Sequence, residues 1–447
     1  MILIGILAVL LLAVCAACGA KEAPPDEAAL RQDAEAVAEA LLAGEYSQVT
    51  ARFDQQMTKL VSREALESGW GQVAGSLGAY QGRHSLEGAA EDGHYVVVVT
   101  ERFRLGGVRL RVVYDGAGRI AGLLCAPVQL EEATMREGCV EVAVTVEGLA
   151  GCPLSGSLTL PAAGEKPPVV ILLQGSGSSD KNEGVYGNKP FFDIAQGLAE
   201  NGVATLRYDK RYYAYPEAAA PLGADLSLRD EVLDDLDAAI RLLRADQRVD
   251  GSSVYVLGHS LSGMLTPVIA TEHPELGGVI SMAGSLRPLW EISYDQSQEA
   301  LAAIDRSALS EADQKTLEAQ ARQVEADIAV LRGDFSALSN ETTLMGIPVG
   351  YWKSLKELCG MNYIGEVTMP MLILQGGADF QISPEKDYPL WQETLADRDH
   401  VTFRLYPELN HLMMPTQGKR DVSEYAVPGT VDARVIGDIA AFVKETR

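Results

Sequence analysis

The sequence predicts an α/β fold with a mostly parallel, doubly wound sheet, preceded by a small α+β domain. The first observation is a set of short, continuous apolar runs, such as residues 169–173 and 203–208, which are typical of strands buried on both faces. The second is that helical patterns alternate with these runs, which favours right-handed crossovers between parallel strands. The third is that residues 26–127 have a different order, with helices first and segments of period two afterwards.

Residues 1–19 are almost wholly apolar and contain two cysteines among small residues, and a polar segment with two prolines follows them. An apolar run of this kind is typical of an export segment. The pattern resembles a bacterial lipoprotein signal, which implies Cys18 as the lipidated residue, Cys15 as the alternative, and residues 1–25 as signal and tether. We therefore expect an extracytoplasmic lipoprotein of the bacterial cell membrane, or a secreted protein. An uncleaved anchor is the other interpretation.

The composition excludes some classes of function. The formal net charge is −25, and so acidic a surface repels phosphate backbones, which argues against nucleic-acid binding. Outside the predicted signal the cysteines are sparse, with no C-x-x-C motif and no cluster of cysteine and histidine, so the sequence predicts no metal site. They are Cys125, Cys139, Cys152 and Cys359, and no disulfide among them is predicted.

Residues 26–127 predict a small α+β domain. Apolar residues recur at steps of three and four from Leu30 to Leu41, which predicts a first helix over 26–43. Further helices are predicted over 46–57 and 62–75, and strands over 80–86, 95–103, 108–114 and 120–125. Helices followed by an antiparallel meander resemble the cone-shaped fold of the nuclear-transport-factor-two type. The resemblance implies a cone that holds a small ligand or acts as a spacer or dimerisation module, and the oligomeric state stays open.

Residues 130–447 carry the alternation of strands and helices. Two segments that alternate in hydrophobicity, 140–146 and 154–160, predict an antiparallel pair at the start. A long helix is predicted where Ser227 and Asp230 form a capping box. The remaining strands are predicted at 169–173, 203–208, 254–257, 278–283, 371–375 and 402–406, and the remaining helices at 191–201, 264–273, 388–395 and 432–444.

The alternation stops over about 286–363. A long amphipathic helix within this stretch has apolar positions from Leu317 to Leu331, and such a stripe must cover another surface. We interpret the insertion as a cap over the active site, and a peripheral helical hairpin is the alternative. Its aromatic residues include Trp290, Tyr294, Tyr351 and Trp352.

A serine lies at the turn between a buried strand and a helix. The strand at 254–257 runs into Gly258-His-Ser-Leu-Ser-Gly263, where small residues let the strand and the following helix approach closely. This is the pattern of a nucleophile elbow, G-x-S-x-G, with Ser260 as the nucleophile. One position departs from it, because Ser262 stands where the pattern has its last glycine.

A serine nucleophile needs a base, and the base needs an orienting acid. In folds with this elbow the acid and the histidine follow the serine in that order, each after a late strand. Asp379 follows the strand at 371–375, and His411 follows the strand at 402–406, so we predict Ser260, Asp379 and His411 as the catalytic residues. Less suitable alternatives are Glu385 and Glu408, expected at the surface, His400, before the last strand, and His259, expected to point away.

The oxyanion needs two backbone N–H groups. One is predicted from Leu261, directly after the nucleophile. The other is predicted from Ser176, in the glycine-rich loop 174–177 after the strand at 169–173. This loop lacks the order of a phosphate-binding motif, so a phosphate cradle is the weaker interpretation.

These residues resemble the α/β-hydrolase superfamily, and in particular bacterial esterases and the dienelactone-hydrolase-like and serine-aminopeptidase-like members. The resemblance rests on segments 174–180, 207–211, 258–263 and 375–382. It implies an acyl-enzyme on Ser260 without a metal or other cofactor. It also implies that Arg207, Asp209 and Arg211 form a structural charge cluster, and departures at Gln174, Tyr212 and Tyr213 distinguish this chain.

The substrate class follows less directly. We favour a small carboxylic ester, because the predicted cap has no obvious anchor for a peptide amino terminus. A serine aminopeptidase or other amidase that acts on short peptides with the same triad is the alternative, with Glu291, Asp295 or Glu299 as possible anchors. A second alternative is a catalytically silent, membrane-tethered binding protein.

Overall fold

A computed structural model describes residues 27–447, except 76, 78, 92–93, 104–105, 129–134, 165, 220 and 305–310. The predicted signal, with Cys15 and Cys18, lies outside the described residues. The described chain forms two compact units. The first contains the residues before 134 together with Val185–Asn188 and Val422–Pro428, and the second contains the rest. Within these described residues, no helix is both long and apolar enough to cross a bilayer.

The first unit has helices followed by a four-stranded antiparallel meander, as the sequence predicted. Helix α1 (Glu27–Leu42) buries one face, which includes Leu30, Val37 and Leu41, because these residues recur at helical spacing. The other helices are α2 (Tyr46–Thr50), α3 (Gln55–Leu60) and α4 (Arg63–Gly75). The strands, in sheet order, are β1 (Tyr80–Glu91), β2 (His94–Phe103), β3 (Gly106–Tyr114) and β4 (Ile120–Val128).

Strand β1 is longer than predicted. The prediction ended at Leu86, because Gly88, Ala89 and Ala90 have little intrinsic preference for strands. In the structure each of these residues pairs with β2, up to Glu91 opposite His94. Cross-strand pairing therefore overrides the local propensity.

The second unit is built on an eight-stranded sheet in the order β14-β13-β10-β9-β7-β8-β6-β5. Strands β5 and β6 pair antiparallel with each other, and β6 is antiparallel to β8; all other neighbours in this sheet are parallel. The predicted, mostly parallel, doubly wound sheet is confirmed. The strands are β5 (Cys139–Val146), β6 (Leu154–Pro161), β7 (Val169–Leu173), β8 (Ala204–Tyr208), β9 (Val254–His259), β10 (Gly278–Met282), β13 (Met371–Gly376) and β14 (Val401–Tyr406).

Helices cover the sheet between the strands. A π-helical turn, Arg229–Leu233, precedes the helix Asp234–Ala245, and the predicted capping box forms before this turn, with Ser227 N–H donating to Asp230. One predicted helix is divided. It begins at Leu261 and breaks at Leu265, because Pro267 cannot donate the backbone hydrogen bond that would continue it. The helices are α5 (Pro190–Glu200), α6 (Arg211–Ala214), α7 (Asp234–Ala245), α8 (Leu261–Met264), α9 (Thr266–Glu272), α14 (Asp387–Thr394) and α15 (Ala433–Glu445).

The described residues of the insertion between β10 and β13 contribute no strand to the main sheet. Two of its aromatic residues, Trp290 and Trp352, pack edge to face with ring centroids 6.4 Å apart and form the insertion's own core with Phe335. The interpretation of the insertion as a cap over the active site stays a prediction. The elements are α10 (Leu289–Ala303), α11 (Glu311–Leu331), the short hairpin β11 (Thr343–Leu344) and β12 (Ile347–Pro348), α12 (Val349–Glu357) and α13 (Gly360–Tyr363).

Candidate active site

Ser260 lies at the sharp turn between β9 and α8. Its φ of 55° and ψ of −115° are strained for a residue with a side chain, which is typical of a nucleophile elbow. A methyl group at Gly258 would lie 2.2 Å from the carbonyl oxygen of Ser262, so only glycine lets the strand and the helix approach this closely. A backbone hydrogen bond to the neighbouring strand β10 helps to hold this strained conformation, since Ser260 N–H donates to the carbonyl of Met282.

Ser262, which departs from the usual pattern, has a structural role. Its side chain is fully buried, and its hydroxyl donates to the carbonyl of Gln174 at 2.6 Å. The glycine that the close packing requires follows one position later, because a methyl group at Gly263 would lie 3.0 Å from the carbonyl of Gly258. Position 262 is therefore free to carry a hydroxyl that fastens the elbow to the loop after β7.

Asp379 and His411 meet at the carboxyl edge of the sheet. His411 Nδ1 lies 2.8 Å from Asp379 Oδ2, and both side chains are buried. The other oxygen of Asp379 accepts from the N–H groups of Gln381 and Ile382, so the carboxylate is well supported. Burial is the main influence on His411 and lowers its pKa, although the Asp379 carboxylate acts in the opposite direction.

The second ring nitrogen of His411 is available to a substrate or nucleophile. Nε2 is buried and has no hydrogen-bond partner in the part of the chain that the structure describes. The loop that carries it is fixed by Asn410, whose side-chain oxygen accepts from the N–H groups of Leu412 and Met414. The arrangement holds a neutral imidazole with one nitrogen oriented by a carboxylate and the other open, as a general base requires.

The loop 174–177, which we call the oxyanion loop, lies against Ser260. A methyl group at Gly175 would lie 3.1 Å from the Ser260 Cβ. The N–H of Gly175 donates to Glu183 at 2.6 Å, and that of Gly177 donates to Glu231 at 3.0 Å. Neither can serve an oxyanion without losing that bond.

The backbone N–H groups of Ser176 and Leu261, by contrast, donate no hydrogen bond among the described residues. They are the two predicted oxyanion donors, and the neighbouring contacts leave them open. Their role in catalysis stays a prediction.

A buried ion pair between Lys210 and Glu231 holds the oxyanion loop. Lys210 Nζ donates to the carbonyl of Gly175 and to Glu231, both at 2.7 Å. Tyr351, from helix α12 of the insertion, donates its hydroxyl to the other oxygen of Glu231. Burial opposes ionisation of Glu231, but Lys210 and the hydrogen bonds from Tyr351 and Gly177 outweigh it and lower its pKa.

Sequence reasoning missed His259. We expected its side chain to point away, yet its ring packs beside that of His411, with centroids 4.6 Å apart. Its Nε2 lies 3.0 Å from the carbonyl oxygen of His411, and its Nδ1 lies 2.9 Å from Glu183. Glu183 was not singled out at all; its only sequence signal is its position just beyond the glycine-rich loop.

The other charged residues of the sequence prediction lie in separate pairs. Arg207 pairs with Glu141, and Arg211 pairs with Asp235 at 2.7 Å, so they do not form one cluster. Asp209 accepts from the N–H of Lys181. The competing acids Glu385 and Glu408 are exposed, as expected. The four cysteines Cys125, Cys139, Cys152 and Cys359 are unpaired, and no group of described residues has the composition of a metal site.

Comparison with known proteins supports the fold and the chemistry. The family model for serine aminopeptidase, S33, matches residues 188–416, and a model for a family of unknown function matches residues 34–123. Esterase EstD of Thermotoga maritima is 32% identical over 393 residues, which cover 87% of this chain and 89% of that protein.

Solved structures also align with this chain. The Pyrococcus furiosus esterase Pf2001 aligns with 71% of this chain and 95% of its own, at 13% identity and a TM-score of 0.44. A puromycin-hydrolyzing peptidase of Mycobacterium tuberculosis aligns with 82% of this chain and 48% of its own, at 17% identity and a TM-score of 0.44. From the family match and the EstD relationship, the chain belongs to the S33 serine aminopeptidase family of the α/β-hydrolase superfamily.

Proposed function

We propose that the protein is a carboxylesterase that forms an acyl-enzyme on Ser260. The observation that carries the proposal is the pairing of His411 with Asp379 at 2.8 Å, with the other ring nitrogen open, in a chain whose Ser260 is held at φ 55° at the end of a buried strand. The relationship to a protein named an esterase, along most of both chains, supports the same chemistry.

The proposed reaction has two halves. Ser260 Oγ attacks the carbonyl carbon of the ester while its proton passes to His411 Nε2, and the positive ring is stabilised by Asp379. The oxyanion accepts hydrogen bonds from the Leu261 and Ser176 N–H groups. The tetrahedral intermediate expels the alcohol, which takes the proton from His411. Water then repeats the sequence on the acyl-enzyme and releases the acid.

A serine aminopeptidase is the second candidate, because the matching family model carries that description. Such an enzyme needs acidic groups free to bind the amino terminus of a peptide. Glu291 is held by two hydrogen bonds from Arg332, at 2.8 and 2.7 Å. Asp295 is bridged by Arg287 and Lys386, at 2.7 and 2.8 Å. Each of these two acids would have to break its ion pair before it could bind a peptide amino terminus, which favours the esterase.

Substitution of Ser260 by alanine tests the nucleophile. We expect the turnover of a short-chain nitrophenyl ester to fall by up to ~10⁶-fold. The matched control is Ser252→Ala, an exposed serine before the amino end of the same strand, which should keep the parent rate. A Ser260→Ala protein that retains most of the activity would show that the nucleophile is another residue.

Two further measurements separate the candidates. A fluorophosphonate probe should label the parent protein at Ser260, and the absence of labelling would favour a silent binding protein. A panel of acyl esters and aminoacyl anilides distinguishes the esterase from the aminopeptidase. We expect kcat/KM to be larger for the esters, and the opposite order would assign the peptidase.

We also propose that the enzyme is an extracytoplasmic lipoprotein, lipidated at Cys18. The support is the apolar segment at 1–19, which ends in small residues before that cysteine. Cys18→Ser, in a bacterial host, should abolish palmitate labelling and release the protein from the membrane fraction. Cys15→Ser is the control and should remain labelled. Labelling that persists in Cys18→Ser and disappears in Cys15→Ser would show that Cys15 is the lipidated residue.

A further inference from the structure

We propose that Glu183 and His259 are positioning residues, a buried ion pair that ties the oxyanion loop to the loop of the base His411. The inference rests on the proposed function, since it concerns how the same site is held and tuned. It assigns a role to two residues outside the predicted triad and outside the predicted oxyanion donors.

Glu183 is placed to hold the oxyanion loop. Its side chain is buried, and Oε1 accepts the N–H of Gly175 at 2.6 Å. Its backbone has a φ of 52°, a left-handed conformation that is uncommon for glutamate. Such strain persists only where the surrounding structure fixes it, and it is frequent at functional sites. The carboxylate therefore fixes Gly175, the position in the oxyanion loop at which a methyl group would lie 3.1 Å from the Ser260 Cβ.

His259 faces an acceptor on each side of its ring. Nε2 lies 3.0 Å from the carbonyl oxygen of His411, and a carbonyl can only accept, so this nitrogen carries a proton. Nδ1 lies 2.9 Å from Glu183 Oε2, at ion-pair distance but out of line for a hydrogen bond. A ring between an acceptor and a carboxylate is favoured in its doubly protonated, positively charged form.

The charged groups around His259 support this form. Burial alone would disfavour the positive ring, but the carboxylates of Glu183 and, more weakly, Asp379 outweigh it and raise the pKa of His259. His411 is the other titratable neighbour, and Phe191 faces the ring with an apolar edge. A positive ring beside His411, with the ring centroids 4.6 Å apart, lowers the pKa of His411 and so helps to keep it neutral, which is the state in which it can accept a proton.

The pair thus has two effects that experiment can separate. First, it fixes the Gly175 N–H and the His411 carbonyl relative to strand β9, and so affects how the oxyanion loop and the base are placed in the transition state. It also places a positive charge beside the base, which affects the pH at which the base is active. A residue with a purely structural role would not produce the second effect.

The experiment compares His259→Gln, Glu183→Gln and the double variant with the parent enzyme on a nitrophenyl ester. Glutamine in place of His259 can still donate to the His411 carbonyl but carries no charge. We expect kcat to fall by about tenfold while KM changes less than about threefold. We also expect the acid limb of kcat/KM to move up by roughly one pH unit, since a positive charge near His411 has been removed.

The double variant removes both charges together. Its acid limb should return toward that of the parent, and its loss of kcat should be no larger than that of the poorer single variant, because the two residues act as one unit. The control is His273→Gln. That histidine also pairs with carboxylates, Asp237 and Glu275, but lies at the end of helix α9, and its replacement should leave kcat and the acid limb unchanged.

Nitrogen NMR of the histidine-labelled parent provides a measurement that needs no folded variant. The chain has six histidines, and we expect His259 to be protonated on both ring nitrogens at pH 7 while His411 is neutral. A neutral His259, or a His259→Gln enzyme with the kcat and acid limb of the parent, would overturn the positioning role alone. A parent that hydrolyses no ester and takes no fluorophosphonate would instead overturn the proposed function.

Discussion

Substitution of Ser262 by alanine tests whether the hydroxyl at this position holds the oxyanion loop in place. The hydroxyl is fully buried and donates to the carbonyl of Gln174 at 2.6 Å. Alanine keeps the Cβ and removes only this donor, which leaves a buried carbonyl without it. A buried acceptor that loses its donor costs about 2 kcal/mol of the free energy of unfolding. In a unit of about 300 residues, whose entropy of unfolding is about 0.6 kcal/mol/K, that lowers the Tm by about 3 °C.

Substitution of Ser262 by alanine should also lower the rate of catalysis. Gln174 precedes Gly175, which lies against Ser260, so a looser carbonyl at 174 displaces the predicted oxyanion donor of Ser176. A whole donor is worth about 3–4 kcal/mol in the transition state. Partial misplacement should therefore lower kcat by about tenfold and leave KM nearly unchanged.

The assay measures kcat and KM on a nitrophenyl ester beside thermal unfolding by calorimetry. Ser262→Gly restores the residue usual in the elbow pattern and should lose as much activity, because it lacks the same hydroxyl. Ser297→Ala is the matched control, since its hydroxyl bonds a carbonyl within helix α10. A Ser262→Ala enzyme with the Tm and kcat of the Ser297→Ala control would refute the role of the hydroxyl.

Three further predictions concern the same site. Tyr351→Phe removes the insertion's hydrogen bond to Glu231 and should lower kcat several-fold in steady-state assays, with KM less affected; an unchanged kcat would contradict it. Gly175→Ala places a methyl group 3.1 Å from the Ser260 Cβ and should reduce fluorophosphonate labelling at least tenfold, whereas Gly71→Ala, where the methyl group meets open space, should not. The pKa of His411 is lowered, and the base is active when neutral, so kcat/KM should persist below pH ~6.5 and decline only in more acidic buffer; an acid limb above that value would contradict it.

The sheet and the pairing of Asp379 with His411 could be predicted from the sequence. Buried parallel strands are continuous apolar runs, and residues that follow such strands meet at one edge of the sheet. The elbow at Ser260 has a local signature of small residues. Chain order then restricts the acid and the base to the loops after β13 and β14.

The contacts that hold the oxyanion loop could not be predicted in this way. Glu183 and His259 are 76 positions apart, and Tyr351 reaches Glu231 across 120 positions. Neither pair has a characteristic spacing. The sequence also does not distinguish a buried carboxylate from the many exposed ones in this acidic chain. Only the packing shows which acids are buried beside a cation. That partner is needed, because burying a charged carboxylate without one would destabilise the fold.

Two of the departures from the usual pattern, at Gln174 and Ser262, belong together. Gln174 departs from the family pattern and Ser262 replaces its last glycine, and these residues are in contact, because the serine hydroxyl donates to the backbone carbonyl of the glutamine. The glutamine side chain in turn donates to the carbonyls of Tyr208, at 2.6 Å, and Asp180, at 3.1 Å. The loop is thus anchored to β8 and to the elbow at once. The N–H groups of Gly175 and Gly177 are both occupied by carboxylates, so the N–H of Ser176 between them is the one that these anchors leave open, as the predicted oxyanion donor would have to be before any substrate arrives.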